Sequence, residues 1–420
     1  MLTTAPRGTK DILPGEVLAW NYLENVLREV SARYGFKELR TPTFEHTELF
    51  KRGIGDATDV VDKEMYTFLD RGERSITLRP ENTASAARAY VEHKLYGDGQ
   101  ITKLFYIGSM FRYDRPQAGR LREFHQYGVE CLATPGPVAD AEVILLALEI
   151  LDKLGLKDLQ LKINSVGCKK CRPAYGEKLR AYFQPHLAEL CEDCRSRFDR
   201  NPLRLLDCKN LKCHEIAKDA PCLSECLCDD CAEHFAMLKQ LLDGAGVKYE
   251  LDSNLVRGLD YYTKTAFEIQ YPPLGAQSAV AGGGRYDGLV EEIGGPATPG
   301  IGFAMGLERV MLALEKQNLL PAEADACEAY LVSMGKGTLS QVFRTAAELR
   351  HQGMKVEFDL AGGSMKSQMK KANKSGAKNV LIFGDEELGR GCVTLKDMAT
   401  SEQKEVALEN IINELSEVKK

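Results

Sequence analysis

Ten of the thirteen cysteines in this 420-residue chain lie between Cys168 and Cys231, in a segment that interrupts a pattern resuming on its far side. Residues 1 to about 165 alternate helical and extended spacing, whereas residues 166 to about 249 are charged and read as helices. Strand character resumes at Leu255, runs through Gly282-Gly283-Gly284 and ends in a helical stretch, Phe303 to Lys316. One sheet-based domain (1–165 with 250–320), split by a Cys-rich insertion (166–249), explains that order. Cys168/Cys171, Cys191/Cys194 and Cys228/Cys231 are spaced as CxxC, with Cys208, Cys213, Cys222 and Cys226 nearby. Thiolates at that spacing can share a tetrahedral ion, so the insertion is a candidate zinc module, with no ligand set assigned.

Local periodicity fills in the frame. Trp20 to Tyr34 has apolar residues Leu23, Val26, Leu27 and Val30 at helical spacing. Lys103 to Tyr113 and Arg122 to Leu132 read as two strands, most simply an antiparallel pair. After a linker at Pro321 to Ala326, strand 328–333, helix 339–351, strand 355–360, helix 364–375, strand 379–384, a strand near 392–397 and a last helix form a small α/β domain, 326–420. Met1 to Lys10 carries no apolar stretch, which predicts no secretory signal and a reduced, cytoplasmic protein. The longest apolar run, Val143 to Ile150, contains Glu149 and is too short to span a membrane. A net charge of −6 leaves any nucleic-acid contact to a local basic surface.

Several positions are poor material for a core. Arg112, Arg115, Arg120 and Arg122 crowd the connection between the two early strands, and guanidinium forks suit phosphate oxygens. The same residues would serve a solvated loop. Along the second strand Gln126, Gly128 and Glu130 share one face and Tyr127 and Val129 the other. Arg79-Pro80-Glu81-Asn82-Thr83 precedes an alanine-rich helix, Ala84 to Tyr90, that Glu81 or Thr83 would cap. Phe303, Leu307, Val310, Met311 and Leu314 form one stripe of the helix near 303–316, with Arg309 off it. Leu255-Val256-Arg257-Gly258-Leu259-Asp260-Tyr261-Tyr262 combines a cation, a glycine, a carboxylate and two phenols, which suits the floor of a polar pocket.

These pieces together resemble the class II aminoacyl-tRNA synthetases and, within them, the histidyl-tRNA synthetase family. Phe36 to Gly53, with Pro42, is similar to the class motif that builds a dimer interface. Phe111-Arg112 through Glu130 resembles the second motif, and Gly302 to Arg309 the third. Leu255 to Tyr262 and Gly283-Gly284-Arg285-Tyr286-Asp287 are similar to the two signatures peculiar to the histidine enzymes, and Pro6 to Asp11 fits their N-terminus.

The resemblance implies an α+β catalytic domain, mostly antiparallel sheet flanked by helices, with a helical insertion and a C-terminal α/β anticodon-binding domain. It implies a homodimeric ligase that activates L-histidine with ATP and Mg2+ and passes it to the 3′ end of histidine tRNA. Arg112 would hold the α-phosphate and Arg309 the far end of ATP. Arg257 would sit against the α-phosphate where other members of the class use a metal ion. Glu81, Thr83 and Gln126 match head-group positions, and Glu130, Tyr262 and Tyr286 the side-chain pocket. Asn82, Arg257 and Tyr261 complete the histidine-binding set. Lys366, Lys370, Lys371, Lys374 and Lys378 offer a surface for the tRNA backbone. The alternative is a non-catalytic histidine-binding regulatory paralogue from histidine biosynthesis. One geometric demand follows: Arg257 and Tyr262 have opposite strand parity, so Gly258 or a local turn must redirect the chain if both face one site.

Overall fold

A computed structural model describes residues 3–54, 58, 60–97, 99–206, 208, 210–256, 261–321 and 327–417. The chain forms two compact units, Met1–Leu320 and Pro321–Lys420. No helix among the described residues is long and apolar enough to cross a membrane.

In the first unit the strands are β1 (Lys37–Glu38), β2 (Phe44–His46), β3 (Tyr66–Leu69), β4 (Ser75–Leu78), β5 (Thr102–Phe111), β6 (Glu123–Leu132), β7 (Gln160–Ser165), β8 (Glu250–Leu251), β9 (Thr263–Gln270), β10 (Ala279–Arg285) and β11 (Gly300–Gly306). Eight form one sheet in the order β1-β5-β6-β11-β10-β9-β7-β8, and β2-β4-β3 form a small one. Only the outer pairs β1/β5 and β7/β8 of the large sheet are parallel. The early hairpin pairs without a break from Thr102↔Leu132 to Phe111↔Glu123.

Alternation along these strands divides the sheet into an apolar and a polar face. Tyr127, Val129, Phe267, Ile301, Phe303 and Met305 are buried against helices Pro14–Arg33, Pro137–Lys153 and Leu307–Lys316. The polar face carries Gln126, Gly128 and Glu130 of β6, opposite Gly306, Ala304 and Gly302 of β11. Helix Asp229–Gly244 falls in the Cys-rich segment by sequence, yet Leu238 and Leu242 pack in this same core.

Two expected boundaries move. Phe303 belongs to β11, not to the helix, which starts at Leu307. The i, i+4 spacing of Phe303 and Leu307 imitates one helical face, but Phe303 pairs with Val129 across the sheet. Leu255 is not in a strand: the chain rejoins the sheet at the short β8, Glu250–Leu251, and the next strand, β9, starts at Thr263. The intervening backbone is engaged by side chains: Asn164 donates to the carbonyls of Ser253 (3.2 Å) and Leu255 (3.0 Å), and Asp252 accepts from the amide of Asn254 (3.1 Å). Such bonds compete with a strand ladder.

A buried ionic cluster ties the sheet to its helices. Arg285 of β10 and Asp140 of helix Pro137–Lys153 have fully buried side chains and pair directly. Arg285 also donates to the carbonyls of Thr134 (2.7 Å) and Gly136 (2.9 Å) and to Asp287 (3.1 Å). Asp140 further accepts from Thr265 of β9 and bonds His234 of helix Asp229–Gly244 at 2.7 Å. Burial would raise the Asp140 carboxyl, but His234 and Arg285 hold it below the usual carboxylate range.

The second unit has β12 (Ala329–Ser333), β13 (Val356–Phe358), β14 (Asn379–Phe383), β15 (Cys392–Asp397) and β16 (Gln403–Ala407) in the order β13-β12-β14-β15-β16. The first three are parallel neighbours and the last two add antiparallel pairs. Helices Leu339–His351 and Met365–Lys374 connect the parallel strands. Strand β16 has no counterpart in the sequence reading because it is an edge strand in which only Val406 is buried.

Removing one member of a buried ion pair leaves the other charged and desolvated, at a cost of about 3–5 kcal/mol. Arg285→Met should destabilise the first unit by roughly that amount in urea unfolding, and the double variant with Asp140→Leu by less than the sum of the two single changes. A single-variant loss below about 1 kcal/mol would show that the cluster does not hold the sheet to its helices.

Candidate active site

On the polar face of the large sheet a cavity of about 450 Å3 opens, a volume suited to a small ligand. Its lining includes Glu81, Thr83, Arg112, Gln126, Tyr261, Tyr262, Tyr286 and Arg309, all expected there from sequence. It also includes Arg120, one of the four hairpin arginines offered for phosphate, and Tyr106, Glu268 and Glu308, which had no expected role.

One end is cationic. Arg112 follows β5 directly, donates from Nε to the carbonyl of Pro80 at 2.8 Å and stacks over Phe124 at 5.4 Å. Arg309 donates to the carbonyls of Gly119 (3.2 Å) and Ala279 (2.8 Å), so the helix after β11 is fastened to the early hairpin. Arg120 lines the same end, salt-bridged to Asp114. Burial first, and then Arg120 and Arg112, push the Arg309 guanidinium below its ordinary basicity. Arg112 is lowered mainly by burial, with Glu64 and Glu81 opposing. The other two hairpin arginines lie elsewhere. Arg115 is exposed, and Arg122 stacks on Tyr113 at 4.0 Å while its amide donates to the carbonyl of Gly8.

The other end is phenolic. The rings of Tyr261 and Tyr262 pack at a tilt with centroids 4.7 Å apart, and Tyr261 meets Tyr286 edge-on at 5.7 Å. Glu130 lies just behind this wall, 2% exposed. Its oxygens accept from the hydroxyls of Tyr106 (3.2 Å) and Tyr286. Glycine is required around it: a Cβ at Gly302 would strike the Glu130 carboxylate, and one at Gly128 the Tyr106 hydroxyl. Tyr106 could have been found from the hairpin register, since it pairs across the strands with Gly128.

Between the two ends Glu81 accepts from the amides of Thr83 (2.7 Å) and Ala84 (3.0 Å), capping helix Thr83–Glu92. Burial raises its carboxyl against those bonds. Gln126 Oε1 is buried with no hydrogen-bond partner among the described residues. Asn82 does not line the cavity. Its Oδ1 accepts from Thr41 (2.7 Å) and Arg79 (3.4 Å), away from the opening. Glu308 accepts from both the amide and Nδ1 of His125 at 2.9 Å, which raises the His125 pKa. Arg257, Gly258, Leu259 and Asp260 lie outside the described residues, while Val256 and Tyr261 on either side both line the cavity.

Comparison with known proteins gives the family of the chain. A family model described as histidyl-tRNA synthetase matches residues 8–310, and one described as anticodon binding domain matches residues 328–418. The histidine–tRNA ligase of Desulforamulus reducens is 55% identical over 412 residues, covering 98% of each chain. That of Pelotomaculum thermopropionicum is 54% identical over 418 residues, 99% of this chain and 98% of its own. The crystal structure of the apo histidyl-tRNA synthetase of S. aureus superposes with a TM-score of 0.83 at 39% identity, covering 98% of this chain and 99% of that one.

Burial lifts the Glu130 carboxyl to about 8, although the Tyr286 and Tyr106 hydroxyls oppose the shift. An unfolded chain ionises glutamate near about 4.3. Between those values the folded protein keeps a proton that the unfolded chain releases, so stability falls as pH rises through the window. Glu130→Gln cannot ionise. The melting temperature of that variant minus that of the unmodified protein should therefore increase from about pH 5 to about pH 8. A pH-independent difference would contradict the raised carboxyl.

Proposed function

The chain belongs to the histidyl-tRNA synthetase family and is a catalytic ligase, and from that premise we propose how its cavity divides the work. The identity to curated histidine–tRNA ligases, above half of all positions along the full length, sets aside the regulatory paralogue. Histidine is first activated with ATP to histidyl adenylate and pyrophosphate, then transferred to the 3′ end of histidine tRNA.

In activation a histidine carboxylate oxygen bonds to the α-phosphorus as the bond to the β-phosphate oxygen breaks. Two anions must meet, and negative charge grows on phosphoryl oxygens. Fixed cations aimed there favour the transition state. The convergence of Arg112, Arg120 and Arg309 on one end of the cavity carries this reading. Their burial and mutual repulsion create a demand for an anion. Arg112 binds the α-phosphate and Arg309 the far end of ATP. Arg257, between the cavity-lining Val256 and Tyr261, joins Arg112 at the α-phosphate. Glu268 lines the cavity as well and supplies the hard oxygen ligands that Mg2+ prefers. The ion neutralises charge on the β- and γ-phosphates when bound.

Between the two ends Glu81, Thr83 and Gln126 receive the head group, with the unsatisfied acceptor Gln126 Oε1 suited to the ammonium. The imidazole lies among Tyr262, Tyr261 and Tyr286. A phenol that donates to Glu130 presents its oxygen to an imidazole N–H. Buried polar partners of this kind exclude side chains that cannot satisfy them.

The second unit bears on the tRNA. Lys366, Lys370, Lys371, Lys374 and Lys378 are exposed on or just after helix Met365–Lys374, with Lys371 paired to Asp359. A homodimer fits the small sheet, where Phe44, Phe68 and Leu69 are 56%, 48% and 67% exposed. Charging tRNA for translation places the protein in the cytoplasm. Zinc, on this reading, belongs to the insertion and not to the catalytic cavity.

The direct test is histidine-dependent exchange of labelled pyrophosphate into ATP, which fails if the reading is wrong. Arg257→Ala should abolish adenylate formation with ATP binding largely kept, and Arg112→Ala should slow exchange by about 10²–10³-fold. Near-normal exchange in either variant would remove that residue from its role. Sedimentation should find a dimer that Phe44→Lys with Phe68→Lys converts to a monomer; a monomer before substitution would end the dimer proposal.

A further inference from the structure

We propose that the insertion binds two zinc ions, each through four cysteine thiolates. Cys168, Cys171, Cys228 and Cys231 hold the first; Cys191, Cys194, Cys208 and Cys213 hold the second. Within each group all four Sγ atoms lie within 4.8 Å of one another. A tetrahedral ion with Zn–S bonds of about 2.3 Å needs sulfur-to-sulfur edges of about 3.8 Å. The distances are 3.7 Å for Cys168–Cys171, 3.8 Å for Cys168–Cys228 and 3.8 Å for Cys191–Cys208. A disulfide would bring sulfurs to about 2.05 Å, and all thirteen cysteines are free thiols.

The surrounding backbone is arranged for thiolates. The amides of Lys170 (3.4 Å), Cys228 (3.2 Å) and Cys191 (3.2 Å) donate to the sulfurs of Cys168, Cys171 and Cys213. Such bonds stabilise the charged sulfur and fix its orientation. In each CxxC the second cysteine falls in the first turn of a helix: Cys171–Phe183, Glu192–Arg200 and Asp229–Gly244. Cys222 and Cys226 join neither group. Binding of each Zn2+ displaces four thiol protons and leaves a site of net charge −2, beside which stand Lys169, Lys170 and Arg172 at the first group.

The first site closes a loop of 60 residues, from just after β7 to the start of helix Asp229–Gly244. The second staples helix Glu192–Arg200 to helix Leu211–Ala217. A metal that closes such loops adds its binding energy to folding. The first site also bears on the cavity, because Arg172, next to Cys171, donates to the carbonyls of Val166 (3.2 Å) and Tyr262. The assignment rests on sulfur geometry and stands whether or not the substrate roles above hold.

The test is metal analysis of the full chain, purified without added zinc or chelator and assayed for zinc and iron. Two zinc ions per chain are expected, released when a mercurial titrates the thiols. Cobalt(II) exchanged into the protein should show the visible bands and thiolate charge transfer of tetrahedral sulfur coordination. Cys231→Ser and Cys213→Ser should each retain one zinc, and Cys222→Ser both. If the ligand variants do not fold, the stoichiometry and cobalt spectrum of the unmodified protein decide alone. Fewer than two zinc ions, iron in their place, or zinc lost on Cys222→Ser would overturn the proposal.

Discussion

The active cavity depends on a pair of charges that never meets solvent. Arg285 and Asp140 are desolvated together, a state tolerated only when the remaining donors and acceptors are also satisfied. Here they are: two carbonyls and Asp287 take up the guanidinium, and His234 and Thr265 take up the carboxylate. The cluster thereby joins β9, β10, helix Pro137–Lys153 and helix Asp229–Gly244. The next residue in the chain, Tyr286, presents its hydroxyl to Glu130. The phenolic wall of the cavity is thus set by a cluster on the other side of the strand.

The cavity itself is built against stability. Guanidinium groups are gathered and partly dried at one end, and a carboxylate is buried at the other. Both arrangements cost free energy, the expected sign for a preorganised site. The large apolar face of the same sheet offsets that cost, which is why one face can be devoted to packing and the other to chemistry.

Much of this was legible in the chain. The antiparallel hairpin and the alternation that separates Gln126 and Glu130 from Tyr127 and Val129 follow from local pattern. The roles of individual residues came from family resemblance, since periodicity does not name a ligand. Local pattern failed where competing forces were comparable. Phe303 and Leu307 fit a helix as well as a strand-to-helix junction. Leu255 lost its strand to side-chain bonds from Asn164. Asp140 and His234 left no local signal, because their meaning lies in partners far along the chain. The four hairpin arginines look alike in sequence, yet only Arg112 and Arg120 reach the cavity. The CxxC pairs were visible, but their sorting into quartets requires three dimensions.

The polypeptide leaves the sheet at β7 and returns at β8, and these two strands lie side by side, with Lys162 opposite Glu250. The exit and re-entry points are therefore neighbours, so the intervening length of chain can vary in evolution without moving the sheet. The exchangeable portion is shorter than the distance between the strands. Helix Asp229–Gly244 contributes Leu238 and Leu242 to the central core and His234 to the ionic cluster. A lineage can rewrite the chain between about Cys171 and Cys228, but the helix beyond it is catalytic-core architecture that happens to be encoded after the interruption.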